Sequence, residues 1–150
     1  MRHLLVLLVL ILALPAIAKP TISLEINNTD SIGLCHPEYK DMREAVQTVL
    51  KRRGVTLHHN SDWTLGINTY STEYRTTEVA HCFLLINVRL FSYSILNGKR
   101  VKAVLHEENY FMNTSGRVRH KREAIRAVGW MAKGSLIMAK QLGVWENELF

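Results

Sequence analysis

Apolar and polar positions alternate over residues 20–27, PTISLEIN, with Ile22, Leu24 and Ile26 on one side, as a half-buried strand requires. The stretch NNTDSIGL that follows reads as a loop. A helix is then expected from His36–Pro37, because proline suits a first turn and Glu38 and Asp41 suit its positive end. Tyr39, Met42, Ala45, Val46, Val49 and Leu50 recur at helical spacing, and Gly54 provides the stop after Lys51, Arg52 and Arg53. Short strands are expected at VTLHH and WTLGINTY, with NSD as the turn between them. Residues 77–96 and 99–112 carry the strongest strand pattern, joined by Asn97-Gly98, the favoured two-residue hairpin turn.

In that hairpin Ala80, Cys82, Leu84, Ile86, Val88 and Leu90 share one face. An uninterrupted register sets Leu90 against Leu105, Arg89 against His106 and Asn87 against Glu108. It also sets Val88 against Glu107, a poor buried match, so a bulge or a looser turn is expected somewhere in the hairpin. NTSGRVRH reads as a loop, and a long helix from about Arg117 to Leu142 turns Ile125, Val128, Gly129, Ala132, Leu136 and Ala139 inward. The order β-α-β-β-β-β-α predicts an α+β fold. It is a two-layer sandwich of a mostly antiparallel sheet with two helices on one face.

The N-terminus changes the picture of where this domain works. Arg2 and His3 precede the apolar run Leu4–Leu14, Pro15 breaks it, and Ala16-Ile17-Ala18 offers small residues for cleavage. This is the pattern of a secretory signal over residues 1–18, cleaved after Ala18. The run is shorter than the roughly 20 residues of a membrane-spanning helix, so no integral membrane protein is expected. No cysteine stands at the cleavage point, and a lipid anchor is therefore not expected either. Residues 19–150 form one domain, periplasmic or secreted. Its net charge lies one unit below the whole chain's +6, because Arg2 leaves with the leader.

In an oxidising compartment the two cysteines, Cys35 and Cys82, are expected to pair. The loop they close is worth about 3–4 kcal/mol in chain-entropy terms. A zinc site from Cys35, His36, His81 and Cys82 is the first alternative, but adjacent strand residues point to opposite faces. A reactive thiol is the second.

No serine lies in a nucleophile elbow, no glycine-rich loop awaits phosphate, and HEEN lacks the histidine spacing of a zinc protease. No catalytic residue, metal ligand or cofactor is assigned on these grounds. The basic run Arg117, Arg119, His120, Lys121, Arg122 and Arg126 opens the last helix, where the dipole disfavours cations; it reads either as an ordinary solvated surface or as the contact for an anionic partner. Lys99, Arg100 and Lys102 add charge at the hairpin. Phe83, Leu85, Phe91, Tyr93, Tyr110 and Met112 fall on the face that the helices are expected to leave open, the stronger argument in the sequence for a binding surface. Its cover would be a partner, one of the chain's own helices or another copy of the chain, so homo-oligomers are compatible with the pattern. Nucleic acid is not expected as a partner. Asn27 and Asn113 begin glycosylation sequons that matter only in a eukaryotic source.

From Asp62 onward, SDWTLGINTY, FLLINVRLFSYSILNGKRV and REAIRAVGWMAKGSLIMAKQL resemble the periplasmic curli-secretion and penicillin-binding-protein-activator lipoprotein domains, over residues 61–142. The resemblance implies an α/β sandwich that assembles with or activates an envelope protein. The functional expectation is a non-enzymatic, disulfide-stapled binding domain of the cell envelope, such as an accessory subunit of a secretion or surface-assembly machine. The alternatives are an inhibitor or immunity protein, or a small hydrolase using His106 and Glu108.

Overall fold

The structure, a computed structural model, describes residues 19–32, 35–76 and 79–144, without the side chains of residues 29–32. The expected signal segment lies outside the described residues. The elements are β1 (Thr21–Ile32), α1 (Tyr39–Arg52), β2 (Thr56–Leu57), β3 (Trp63–Arg75), β4 (Ala80–Leu96), β5 (Lys99–Ser115) and α2 (Arg117–Gln141). The five strands form one sheet in the order β2-β1-β3-β4-β5. β1 pairs in parallel with β2 and β3, through the crossover that contains α1, whereas β3, β4 and β5 form a long antiparallel meander. The fold is α+β, with the element order read from the sequence.

Several boundaries differ from the sequence reading. β1 runs to Ile32, through most of the segment expected as a loop, because β3 continues past Tyr70 to Arg75 and gives it a partner. VTLHH contributes only Thr56 and Leu57 as strand. α1 begins at Tyr39 rather than at His36–Pro37, with Glu38 extended ahead of it. β5 continues through Ser115, paired with His81, so little of NTSGRVRH remains a loop.

The core lies between the sheet and the two helices. Met42, Val46 and Leu50 of α1 meet Ala124, Val128, Met131, Ala132, Leu136 and Ala139 of α2 over Leu65, Ile67, Leu84, Ile86, Val88 and Leu90. Ile125 and Gly129, expected on the inward stripe, are only half-buried. Gly129 faces α1 instead: a Cβ there would stand 3.9 Å from Ala45 Cβ and Val49 Cγ2. A methyl group at this position would make ordinary contact with α1, so the space between the helices does not require glycine here.

Cys35 and Cys82 form a disulfide, with their Cα atoms 5.6 Å apart. It ties the segment before α1 to the buried row of β4, and both residues are essentially inaccessible. The Asn97-Gly98 turn has positive φ at both residues, 51° and 75°, the type I′ geometry whose twist matches the strands.

The expected bulge exists, between Leu90 and Phe91 on β4 and around Leu105 on β5. From the turn to Val104 the pairing follows the uninterrupted register. Beyond it every β5 residue is shifted by one. Leu90 faces His106, Arg89 faces Glu107, Val88 faces Glu108 and Asn87 faces Asn109, which corrects the sequence-based pairs. A one-residue shift moves every side chain to the opposite face of the sheet. Phe111 therefore joins the open face, opposite Leu85. Tyr110 and Met112, expected there, stand on the helix side opposite Ile86 and Leu84. Met112 is buried in the core, and Leu105 leans against it.

Candidate functional site

Among the described residues, both helices pack on one side of the sheet, and no element packs on the other. That open face is built by alternate residues of four strands. β3 contributes Thr64, Gly66, Asn68, Tyr70 and Thr72, which pair with Phe91, Arg89, Asn87, Leu85 and Phe83 of β4.

A polar ladder crosses its centre. The Asn27 Nδ2 donates to Asn68 Oδ1 at 3.1 Å, and Asn68 Nδ2 donates to Asn87 Oδ1 at 3.3 Å. Asn87 Nδ2 then donates to Glu107 Oε1 at 2.7 Å and to Asn109 Oδ1 at 2.8 Å. Arg89 closes the row with an ion pair to Glu107 at 3.0 Å. Donation from Asn87, and then from Arg89, holds the Glu107 carboxyl below the usual glutamate range. Register explains the row: Asn27, Asn68, Asn87 and Asn109 are cross-strand neighbours on adjacent strands.

Aromatic and aliphatic side chains flank the ladder on either side. Toward the Ser115 end of β5, Tyr70, Phe83, Leu85 and Phe111 surround a shallow hollow of about 250 Å³. Phe83 and Phe111 have ring centroids 6.4 Å apart, and Tyr70, Leu85 and Phe111 are 46%, 38% and 66% exposed. Toward the turn, the Phe91 ring stands edge-on to Tyr93 at 5.4 Å and beneath Lys102 Nζ at 3.4 Å. Phe91 was expected to be exposed, yet it is fully buried. Its ring fills the space over Gly66, where an added Cβ would meet Phe91 Cε1 at 2.8 Å. Tyr93 is exposed as expected.

The other expected site residues are distributed differently. Tyr110 lies on the helix side of edge strand β5, beside Glu123, Arg126, Ala127 and the exposed Trp130. The basic run is largely engaged with acids distant in sequence or one turn away. Arg117 pairs with Glu73 of β3, Lys121 with Glu38 at 3.9 Å, and Arg119 Nε donates to Glu123 Oε1 at 2.8 Å. Arg122 and Arg126 are exposed and act on Glu123, whose carboxyl is held low chiefly by the Arg119 hydrogen bond. His120 is fully buried, and its Nδ1 shares a 2.7 Å hydrogen bond with Thr114 Oγ1. It belongs to the core rather than to a surface cluster.

His106 and Glu108 come within 3.9 Å of each other on the helix side of β5. A Cβ on Gly134 of α2 would stand 3.4 Å from Glu108 Oε2, so the helix closes over the pair. The His106 Nε2 is buried, with no hydrogen-bond partner among the described residues. No group of three or more His, Cys, Asp or Glu side chains suited to a metal ion occurs among the described residues. No helix among them is long and apolar enough to cross a membrane.

No protein-family model matches the chain, and no characterised protein matches it in sequence. Among solved structures, a Xanthomonas campestris protein of the family DUF330 is similar, with 10% identity over 89% of this chain and 92% of its own and a TM-score of 0.56. A minor lipoprotein from Acinetobacter baumannii is 13% identical, covering 82% and 95%, at a TM-score of 0.44. A lipoprotein from Neisseria meningitidis is 11% identical, covering 75% and 98%, at 0.44. The first likeness is one of fold: this chain shares the architecture of the Xanthomonas protein. These neighbours include bacterial lipoproteins but carry neither a curli-secretion nor an activator name.

Proposed function

We propose that the chain is an exported, disulfide-stapled domain of the cell envelope that works by protein–protein contact through the open face of its sheet. The observation that carries this reading is the composition of that face. A sheet side that no helix covers among the described residues presents Tyr70, Leu85 and Phe111 to solvent beside a fixed row of amides. Contiguous aromatic exposure of this kind marks interaction surfaces, and aromatic anchors beside fixed polar groups match the anatomy of interface cores. The apparent alternative surface, the basic run of α2, is weaker support, because Arg117, Arg119 and Lys121 already have acidic partners.

The signal pattern and the disulfide support export, and the role that fits is an accessory subunit of a secretion or surface-assembly machine. The lipoprotein resemblance of residues 61–142 points the same way. Cross-linking of the tagged protein in its own cells, followed by mass spectrometry, tests the reading. A Leu85→Lys, Phe111→Lys variant is expected to lose its principal partner, and an Arg119→Glu, Arg122→Glu variant to keep it. The reverse pattern would move the site to the last helix.

A further inference from the structure

The hairpin of β4 and β5 outgrows the sheet. β3 ends its pairing at Trp63 opposite Ser92, and beyond that point β4 is paired, among the described residues, only with β5, back to the turn at Asn97-Gly98. Four further residues to Leu96 carry this ribbon about 13 Å past the sheet. Every residue from Tyr93 to Val104 is exposed.

What the ribbon exposes is apolar on both of its faces. Tyr93 and Ile95 stand on one, and Leu96 and Val101 on the other, with Ile95 and Leu96 at the apex 79% and 63% exposed. The charge is of one sign: Lys99, Arg100 and Lys102, with no acid anywhere between Arg89 and Glu107. Arg100 is stacked 3.8 Å over the Tyr93 ring and Lys102 over Phe91, so the cations lie against the ribbon, set around and behind the aliphatic apex.

We infer that this arm docks on the surface of a membrane containing anionic phospholipid. A protein surface laid against the arm would cover one face and leave the other wet, whereas a bilayer surrounds an inserted tip and covers both. Interfacial elements sink roughly 5–10 Å into the headgroup and acyl boundary, a depth the arm reaches without bringing the sheet down. Ile95 and Leu96 enter the acyl boundary, Tyr93 lies at headgroup level, and the three cations meet the lipid phosphates from their long stems. This inference stands apart from the open-face reading, since the arm extends beyond the Asn ladder and the Tyr70–Phe111 hollow.

The test is sedimentation of the purified protein with vesicles of phosphatidylcholine alone and of phosphatidylcholine mixed with phosphatidylglycerol. Wild type is expected to sediment with the mixed vesicles and to be released by salt. Ile95→Ser, Leu96→Ser and Lys99→Glu, Arg100→Glu double variants are each expected to partition about tenfold more weakly or worse, with unchanged melting, because the arm lies outside the core. An Arg119→Glu, Arg122→Glu variant is expected to bind as wild type does. The inference is overturned if wild type ignores both vesicles, if the arm variants sediment as well as wild type, or if only the α2 variant loses binding. Loss of a captured protein partner in the arm variants, without any vesicle binding, would make the arm a protein contact instead.

Discussion

Single side chains in this domain are placed by neighbours far away in sequence, and His120 shows the consequence. It was read as part of a basic surface run, but one turn into α2 it points inward and meets Thr114 at the end of β5. Its Nε2 is buried with no partner among the described residues, and burial pushes its pKa below the ordinary 6.5. The fold therefore favours neutral imidazole. The unfolded chain takes up this proton near 6.5 and the folded chain only below that, so the contribution is complete above about 6.5 and lost as pH falls from there. Thermal melting between pH 7.5 and 5 is expected to decline for wild type and to be flatter in His120→Gln, whatever the variant's absolute Tm. Equal slopes would show that His120 does not carry the acid sensitivity. Phe91 was misplaced for a similar reason: Gly66 lies on another strand, and the space it leaves became visible only once β3 and β4 were in register.

At the scale of elements, strand and helix identities were legible from periodicity alone, and the Asn97-Gly98 turn fixed the start of the hairpin. A bulge or a looser turn was expected from the mismatch of Val88 with Glu107; the bulge is there, but it sets Val88 against Glu108, so that mismatch is not what it relieves. The bulge's position was not legible, since nothing in the residue pattern singles out Leu105, and the face of every β5 residue beyond it depends on where the bulge falls. The shift at Leu105 exchanges the faces of residues 106–115, which is why Tyr110 and Met112 were assigned to the open face and Phe111 was overlooked. The two registers predict opposite outcomes for one pair of substitutions. Met112 is 5% exposed and Phe111 66%. Met112→Lys is expected to cost about 3 kcal/mol or more by burying an unpaired ammonium, and Phe111→Lys within about 0.5 kcal/mol. Denaturant midpoints of the two variants decide; the uninterrupted register requires the reverse order.

The whole molecule is one-sided. Among the described residues, one layer of helices closes the core, a disulfide binds the segment before α1 to the sheet's buried row, and nothing covers the opposite side of the sheet. Fold class and layer order followed from the sequence, because alternation and helical spacing each specify a buried face. The ion pairs that occupy the basic run did not, since Glu38 and Glu73 reach it only through tertiary packing. Neither did the asparagine ladder, which exists only when four strands align. Together these add to the sheet face, already the stronger candidate in the sequence, and take support from α2. The measurement that tests this most directly is site-specific photo-cross-linking in the protein's own cells, with the reactive side chain placed in turn at Tyr70, Phe111 and Arg122. One discrete adduct at Tyr70 and Phe111, absent at Arg122, is the predicted result; an adduct at Arg122 alone would contradict it.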